Sequence, residues 1–338
     1  MVRVLIAGLI AMVIAVVIGP KFIEFLKRNE LGQPIREEGP AGHVVKQGTP
    51  VMGGLLILLA ATIPFLALTT FTLPALTVLG IAVGCGLIGF ADDFIKLRHR
   101  RSLGLKGRWK LLLLAAITVG VSIAHAHVEE LDTSIYLPIV DYDLPLSWAY
   151  YPLLFLVIAG TANGVNLTDG LDGLAAGTTI ISLLTFLSMI VIAYIRSGPV
   201  GGRSDENLDL AILGAALIGG TIGFLWYNAF PAELFMGDTG SMALGGALAG
   251  FAIMTDTEIL LLLIGGVFVV EALSVIVQVV SFKYFGGRRP FLMAPIHHHF
   301  EMKAWSDSKI MVRFWILAAI LSACGFVLYY RYYLQFRL

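Results

Sequence analysis

Apolar runs long enough to cross a bilayer recur along almost the whole chain. The hydrocarbon core of a bilayer is about 30 Å thick, so a crossing helix needs about 20 consecutive apolar residues. The 338 residues are 58% hydrophobic and only 14% charged, whereas soluble domains carry about a quarter charged residues. We therefore predict an all-α, polytopic membrane protein whose helices form one transmembrane domain over residues 1–338.

Hydropathy and helix-breaking residues divide the chain into about ten spans. We predict them at 3–20, 51–70, 74–93, 110–127, 151–168, 174–195, 209–229, 241–256, 259–284 and 312–330. The first run lacks a small-residue cleavage pattern, so we expect it to be the first helix rather than a signal peptide. An even number of spans puts both termini on the same side of the membrane.

The distribution of basic residues selects that side, because Lys and Arg concentrate in cytoplasmic loops. Eighteen of the 23 Lys and Arg residues follow spans one, three and nine, on one face of the membrane. We predict that this face is cytoplasmic and that both termini are extracytoplasmic.

Two shorter features complete the predicted architecture. The β-prone runs SIYLPIV and YDLPLSW flank Val140–Asp141 and predict a small extracellular β-hairpin near 128–150. Cys85 and Cys324 both fall within apolar runs, without CxxC or Cys/His spacing. We expect two buried, inert thiols rather than a disulfide framework or a zinc site.

Acidic residues gather at one level of the predicted bundle. An acid at the membrane centre costs about 2.5–3.5 kcal/mol on insertion scales, so acids in such a chain are candidates for function. Asp92 and Asp93 end the third span. Asp169 and Asp172 follow the fifth span, and Asp238 follows the seventh. In the predicted topology all five lie at cytoplasmic ends of helices.

The stretch NLTDGLDG (166–173) belongs to a row of polar residues spaced by three: Asn163, Asn166, Asp169 and Asp172. Neighbouring glycines make a straight helix improbable and favour a turn or a 3₁₀ segment, in which residues i and i+3 eclipse. These side chains then line one wall of a cytoplasmic cleft. The alternative is a helix cap followed by a solvated loop, since Asp is common at caps.

The same face offers partners for phosphate, namely Lys46, Lys96, Arg108 and Lys110, and the run His297–His299. Mg²⁺ usually takes one or two carboxylates together with substrate phosphates. Zinc binding by three consecutive histidines is disfavoured, because neighbouring side chains diverge and their local partners are apolar. No P-loop motif is present. Acids, amides, bases and histidines at a membrane boundary predict phosphoryl chemistry on a lipid.

With these residues the chain resembles the bacterial phospho-N-acetylmuramoyl-pentapeptide transferases, within the polyprenyl-phosphate N-acetylhexosamine-1-phosphate transferase superfamily. The matching segments are KQGTPVMGG (46–54), ADDFIK (91–96), NGVNLTDGLDGLAAG (163–177), FMGDTGS (235–241) and APIHHHFE (294–301). The histidine segment indicates the muramoyl-pentapeptide branch. Val51 and Phe94 depart from the threonine and tyrosine that are usual in the family.

The resemblance implies a reaction in the bacterial cytoplasmic (inner) membrane, with the active site on the cytoplasmic face. Phospho-MurNAc-pentapeptide passes from its UDP carrier to undecaprenyl phosphate, which gives lipid I and UMP, with Mg²⁺ as cofactor. No nucleic-acid partner is expected, and a homodimer is the oligomer considered. Both a direct transfer of the phospho-sugar and a two-step transfer are compatible with this reaction.

The resemblance also implies roles for particular residues. The catalytic residues would be Asp92, Asp93, Asp238 and His297, with Mg²⁺ on Asp238 and Asp92 as candidate base or positioning group. The substrate-binding residues would be Lys46, Asn166, Asp169, Asp172, Asn228, Phe235, Gln278 and His298.

Two other functions compete with this one. A related enzyme would use another UDP-N-acetylhexosamine, although the histidine segment argues against it. An ion-coupled transporter would also contain intramembrane acids, but it needs a site reachable from both sides. Glu271, in an apolar span with Gln278, indicates either a helix facing the cleft or a polar contact between helices.

Overall fold

A computed structural model describes residues 1–29, 48–99, 103–126, 133–199 and 201–333. Its α-helices are α1 (Val2–Arg28), α2 (Gly53–Leu68), α3 (Leu73–Arg98), α4 (Gly107–His125), α5 (Tyr150–Thr168), α6 (Leu174–Arg196), α7 (Asp205–Asn228), α8 (Gly237–Met254), α9 (Glu258–Ile264), α10 (Gly266–Tyr284), α11 (Ile296–Glu301) and α12 (Asp307–Leu328). The strands are β1 (Ser134–Leu137) and β2 (Tyr142–Pro145).

The predicted helical membrane class is confirmed. In the part of the chain that the structure describes, eight helices are long and apolar enough to cross a membrane: α1, α3, α4, α5, α6, α7, α10 and α12. Helix α2 is apolar but shorter. The predicted ninth span is divided at Gly265 into α9 and α10. The number of ten spans and the orientation of the termini stay predictions.

Helix α8 forms the centre of the bundle. All of its residues from Thr239 to Met254 are buried, and it packs against α2, α3 and α5. A helix that is apolar on every side is stable only when other helices surround it. The beginning of α8 is therefore positioned by its neighbours rather than by solvent.

Glycines allow α8 to approach α2 and α3 closely. A Cβ atom on Gly54 of α2 would lie 2.1 Å from the backbone nitrogen of Gly240. A Cβ atom on Gly89 of α3 would lie 2.1 Å from the carbonyl oxygen of Asp238. Small residues are the usual means by which transmembrane helices bring their backbones together. Here they hold the first turn of α8 between two other helices.

The predicted hairpin is confirmed as an antiparallel pair in which Ser134 lies opposite Pro145. The Tyr136 hydroxyl donates a 2.7 Å hydrogen bond to Asp141 within the connecting turn. The extracellular position of the hairpin stays a prediction.

The expectation of two buried thiols is correct for Cys85 and wrong for Cys324, which is exposed. An apolar run in a membrane helix has an outward side as well as an inward one, and Cys324 lies on the outward side of α12.

We predict that Gly89→Ala destabilises the protein by about 1–3 kcal/mol, because the added methyl group forces α3 away from α8. The matched control is Gly80→Ala in the same helix, where a Cβ atom would have no neighbour within 4 Å. That variant should be neutral or stabilised by up to about 1 kcal/mol, because alanine is the better helix former. Thermal unfolding in detergent measures both, and equal melting temperatures for the two variants would contradict the close contact.

Candidate active site

Two lysines and two aspartates form a closed network between α3, α4 and α8. Lys96 Nζ lies 2.6 Å from Asp92 Oδ2 and 3.1 Å from Asp238 Oδ1. Lys110 Nζ lies 3.1 Å from Asp92 Oδ1 and 2.7 Å from Asp238 Oδ2. Each ammonium group therefore bridges both carboxylates. Asp92 and Lys96 can share this network because residues four apart lie on one face of a helix.

The connection between α3 and α4 covers Asp92. The backbone N–H of Leu105 donates a 2.7 Å hydrogen bond to Asp92 Oδ1. A Cβ atom on Gly104 would lie 2.4 Å from the same carboxylate oxygen. The lack of a side chain at this position therefore lets the segment 103–106 close over Asp92.

Asp93 serves mainly as an anchor for the beginning of α8. Its carboxylate accepts hydrogen bonds from the backbone N–H groups of Asp238 (3.1 Å) and Thr239 (2.9 Å). The hydroxyl of Thr239 donates a third bond of 2.7 Å. The first N–H groups of a helix have no partner within the helix, and Asp93 supplies one from α3. These three hydrogen bonds therefore fix the position of the backbone at Asp238, from which its carboxylate extends.

The oxygens of Asp92, Asp93 and Asp238 fit a hard divalent cation. Ligand atoms of the three carboxylates lie within 4.8 Å of one another, and they form the one group of this kind in the described residues. Three carboxylates face two lysines, so the cluster retains an excess of negative charge. Oxygen donors of this type favour Mg²⁺, Mn²⁺ or Ca²⁺ over zinc.

Asp169 lies beside this cluster, directly after α5. Its carboxyl group lies close to the backbone N–H of Gly237, the first residue of α8. Burial, followed by the nearby carboxylates of Asp238, Asp93 and Asp172, raises the pKa of Asp169 to about 8.

The stretch NLTDGLDG contains the predicted turn, but α5 remains helical through Gly164 and ends at Thr168. Asp169 occupies the C-cap position of α5, but neither acid caps the helix that follows. Gly173 occupies the N-cap position of α6, and no side chain caps that helix end. Asp172 instead accepts a 3.1 Å bond from the backbone N–H of Ala232, in the segment that precedes α8. Both aspartates therefore contact that segment or α8 itself.

Two asparagines predicted to bind substrate also hold the site together. Asn166 donates to the Ser241 hydroxyl (2.9 Å). Asn228 accepts from the N–H of Gly173 and donates to the carbonyl of Leu234, each at 3.0 Å. Their contribution to substrate binding stays a prediction.

Gln278 makes two bonds to the backbone of Phe291, at 3.0 and 3.1 Å. It thereby holds the segment between α10 and α11. Phe235 is half-buried beside the beginning of α8, and Lys46 lies outside the described residues.

The three consecutive histidines have three different surroundings. His297 is fully buried, with Nδ1 3.1 Å from Glu271 Oε1. His298 pairs with the Glu301 carboxylate. The backbone N–H of Leu292 donates a 3.1 Å bond to His299 Nδ1. In the described residues the histidines form no group with metal-ligand geometry.

Several contacts were not assigned from the sequence. Thr239 and Ser241 belong to the FMGDTGS segment. Short polar residues at the beginning of a helix indicate side-chain hydrogen bonds there, and this was the available signal in the sequence. Lys96 and Lys110 pair with carboxylates in this structure, and their binding of phosphate stays a prediction. Val51 is buried, and its side chain packs beneath Gly237, where a Cβ atom would come within 2.9 Å of it.

A family model described as Glycosyl transferase family 4 matches residues 75–256. Curated relatives named phospho-N-acetylmuramoyl-pentapeptide-transferase match nearly the whole chain. The protein from Desulfitobacterium hafniense is 43% identical, over 97% of this chain and 98% of its own length. The protein from Frankia alni is 44% identical, over 98% of this chain and 98% of its own length. The protein from Halalkalibacterium halodurans is also 44% identical, over 94% of this chain and 95% of its own length. The chain belongs to the phospho-N-acetylmuramoyl-pentapeptide transferase family.

Proposed function

We propose that this protein transfers phospho-MurNAc-pentapeptide from UDP-MurNAc-pentapeptide to undecaprenyl phosphate, which releases UMP and forms lipid I. The observation that carries the proposal is the cluster of Asp92, Asp93 and Asp238 at one end of an apolar helical bundle, where two lysines bridge Asp92 and Asp238. Membership of the family supplies the two substrates. A lipid phosphate and a nucleoside diphosphate both bring negative charge to this end of the bundle.

Mg²⁺ is the cofactor we propose, with Asp238 as its protein ligand. A bound Mg²⁺ would neutralise charge on the diphosphate and on the leaving UMP. Asp238 suits this role because its carboxylate oxygens contact the flexible side chains of Lys96 and Lys110. The oxygens of Asp93 are instead committed to the backbone of α8.

Asp92 would orient the lipid phosphate or accept its proton. The Leu105 N–H fixes one of its oxygens, so the carboxylate keeps one orientation while substrates exchange. Lys96 and Lys110 would turn from the carboxylates toward the phosphates, since an ammonium group on a flexible stem can change partners. The lipid phosphate would attack the diphosphate directly, because it is itself a nucleophile.

The turn at 169–173 and the histidine segment would form the pocket for the UDP-linked substrate. Asp169 would accept from the uracil N–H or a sugar hydroxyl, and the half-buried ring of Phe235 would stack on the uracil. Lys46, Asn166, Asp172, Asn228, Gln278 and His298 would complete this pocket, and His297 would approach the phosphates or the sugar.

We propose that the site faces the cytoplasm of a bacterial cell, in its cytoplasmic (inner) membrane. The UDP-linked substrate is soluble and polar, so it reaches a site at that membrane surface without crossing the bilayer. The surplus of basic residues on this face agrees with that orientation. A homodimer is the assembly we propose, with each copy carrying a complete site.

Purified protein with undecaprenyl phosphate, Mg²⁺ and a panel of UDP-sugars tests the proposal directly, with UMP release as the readout. We expect release with UDP-MurNAc-pentapeptide, little with UDP-GlcNAc, and none when a chelator removes Mg²⁺. Faster release with UDP-GlcNAc would instead indicate the related N-acetylhexosamine enzyme.

The orientation predicts the labelling of single cysteines by a membrane-impermeant reagent in intact cells. Because Cys324 is exposed, the background should carry Cys324→Ser. Ser306→Cys replaces an exposed side chain that makes no cap bond, and we expect labelling only after the cells are opened. Gly202→Cys, at the opposite end, has no Cβ neighbour closer than 3.9 Å and should be labelled in intact cells. Reversed labelling would contradict the cytoplasmic site.

Asp169→Asn should lower kcat/KM for the UDP-linked substrate by about ten- to a hundredfold at high pH. Loss of a charge-assisted acceptor costs roughly 1.5–3 kcal/mol. The pKa of Asp169 is raised to about 8, so the wild-type carboxyl is mostly neutral below that pH and ionised above it. The ratio of wild-type to variant rates should therefore grow as pH rises from 6 to 9.

Asp172→Asn is the matched control, one turn along the same stretch, and its loss should be smaller. Steady-state kinetics with each substrate varied separately give both constants. If kcat and KM at pH 9 were equal for wild type and Asp169→Asn, Asp169 would have a structural role beside α8 and no role in substrate binding.

A further inference from the structure

A fully buried carboxylate lies directly behind the first histidine of the triplet. Glu271 and His297 both have no exposed surface, and Glu271 Oε1 is 3.1 Å from His297 Nδ1. In the described residues neither carboxylate oxygen and neither ring nitrogen makes a hydrogen bond of good geometry, to each other or to a third group. A buried carboxylate without a partner is strongly destabilising. Among the described residues, the imidazole is thus the one group in contact that can stabilise Glu271.

Close packing of α10 on α5 explains how Glu271 reaches this position. A Cβ atom on Gly164 of α5 would come within 3.2 Å of the backbone and Cβ of Phe268 in α10. Glu271 is three residues beyond Phe268 and shares its face of the helix. The glycine in α5 therefore brings Glu271 beside the end of α5, where the acidic turn begins.

The other side of the His297 ring faces that turn. A Cβ atom on Gly170 would lie 2.2 Å from His297 Nε2, so residue 170 cannot carry a side chain while the ring keeps this position. Asp169 and Asp172 flank Gly170 in the chain. The imidazole thus lies between Glu271 at Nδ1 and the acidic turn at Nε2.

We infer that Glu271 is a positioning residue for His297: its carboxylate accepts the Nδ1 proton and so leaves Nε2, on the side of the acidic turn, as the unprotonated nitrogen. The hydrogen bond made by one ring nitrogen decides which proton the other carries. Such contacts shorten and align when substrate is bound. The role of His297 at the substrate rests on the proposed function, whereas its tautomer does not.

The neighbouring histidines lack this arrangement. His298 pairs with Glu301, which lies three residues further along the same short helix. His299 receives a backbone N–H at its Nδ1, so that nitrogen is an acceptor and carries no proton. Glu271 therefore distinguishes His297 from the two histidines that follow it.

The variant Glu271→Gln keeps the size of the side chain but removes its charge, and the amide can turn its NH₂ group toward Nδ1. An amide in place of a carboxylate behind a histidine stabilises the wrong tautomer. We expect kcat to fall by about ten- to a hundredfold, as for other groups that orient a functional histidine. KM for UDP-MurNAc-pentapeptide should change by less than about threefold.

The matched control is Glu258→Gln. Glu258 is also buried, but its carboxylate accepts a 2.6 Å bond from the Tyr150 hydroxyl, in a contact between α9 and the beginning of α5. We expect this variant to lose thermal stability and to keep wild-type kcat.

The decisive readout is the ¹⁵N spectrum of histidine-labelled protein in nanodiscs, with the His297 signals assigned by their loss in His297→Asn. In the wild type we expect a protonated Nδ1 at His297. In Glu271→Gln we expect a signal from the form with the proton on Nε2, and no such change in Glu258→Gln.

A wild-type His297 with an unprotonated Nδ1 would overturn the inference, even if Glu271→Gln failed to fold. Unchanged kcat and unchanged His297 signals in Glu271→Gln would also overturn it, leaving Glu271 as a contact between helices. Failure of the wild type to release UMP would refute the proposed function, but it would leave the tautomer measurement valid.

Discussion

The site depends on how the N-terminus of α8 is satisfied. The first N–H groups of a helix lack partners, and together they carry a partial positive charge. Here the acceptors come from outside the helix: Asp93 binds the N–H groups of Asp238 and Thr239, and the carboxyl group of Asp169 lies close to that of Gly237. Because α8 is buried in the bundle, water is a poor substitute for these carboxylates. The same contacts that complete the helix also bring α3, the turn after α5 and Asp238 together.

This arrangement divides roles among acids that look alike in the sequence. Asp93 is committed to backbone N–H groups, whereas the carboxylate of Asp238 pairs with the side chains of Lys96 and Lys110. Asp92 is intermediate, with one backbone bond and two lysines. A carboxylate with mobile partners can exchange them for a cation or a phosphate at low cost. A carboxylate that accepts hydrogen bonds from the first N–H groups of a helix cannot exchange those partners without moving the helix.

The helical class, the hairpin and the gathering of acids at one end were predictable, because hydropathy and residue spacing encode them locally. The partner of each acid was not. Nothing near Asp93 in the sequence indicates that it binds the backbone of residue 239, which lies in another helix. Similarly, the exposure of Cys324 depends on which side of α12 faces outward. Gly170 appeared to be a turn residue, yet its position against the His297 ring follows only from the packing of α11 on the acidic turn.

Binding of Mn²⁺, a paramagnetic substitute for Mg²⁺, tests the central claim most directly. Electron paramagnetic resonance of the purified protein should show a saturable site that weakens at least about tenfold in Asp238→Asn, because a hard ligand is lost. Glu233→Gln, a change of an exposed acid in the segment before α8, should leave the affinity unchanged. Wild-type Mn²⁺ affinity in Asp238→Asn, with the variant correctly folded, would contradict the assignment of the cation site to the beginning of α8.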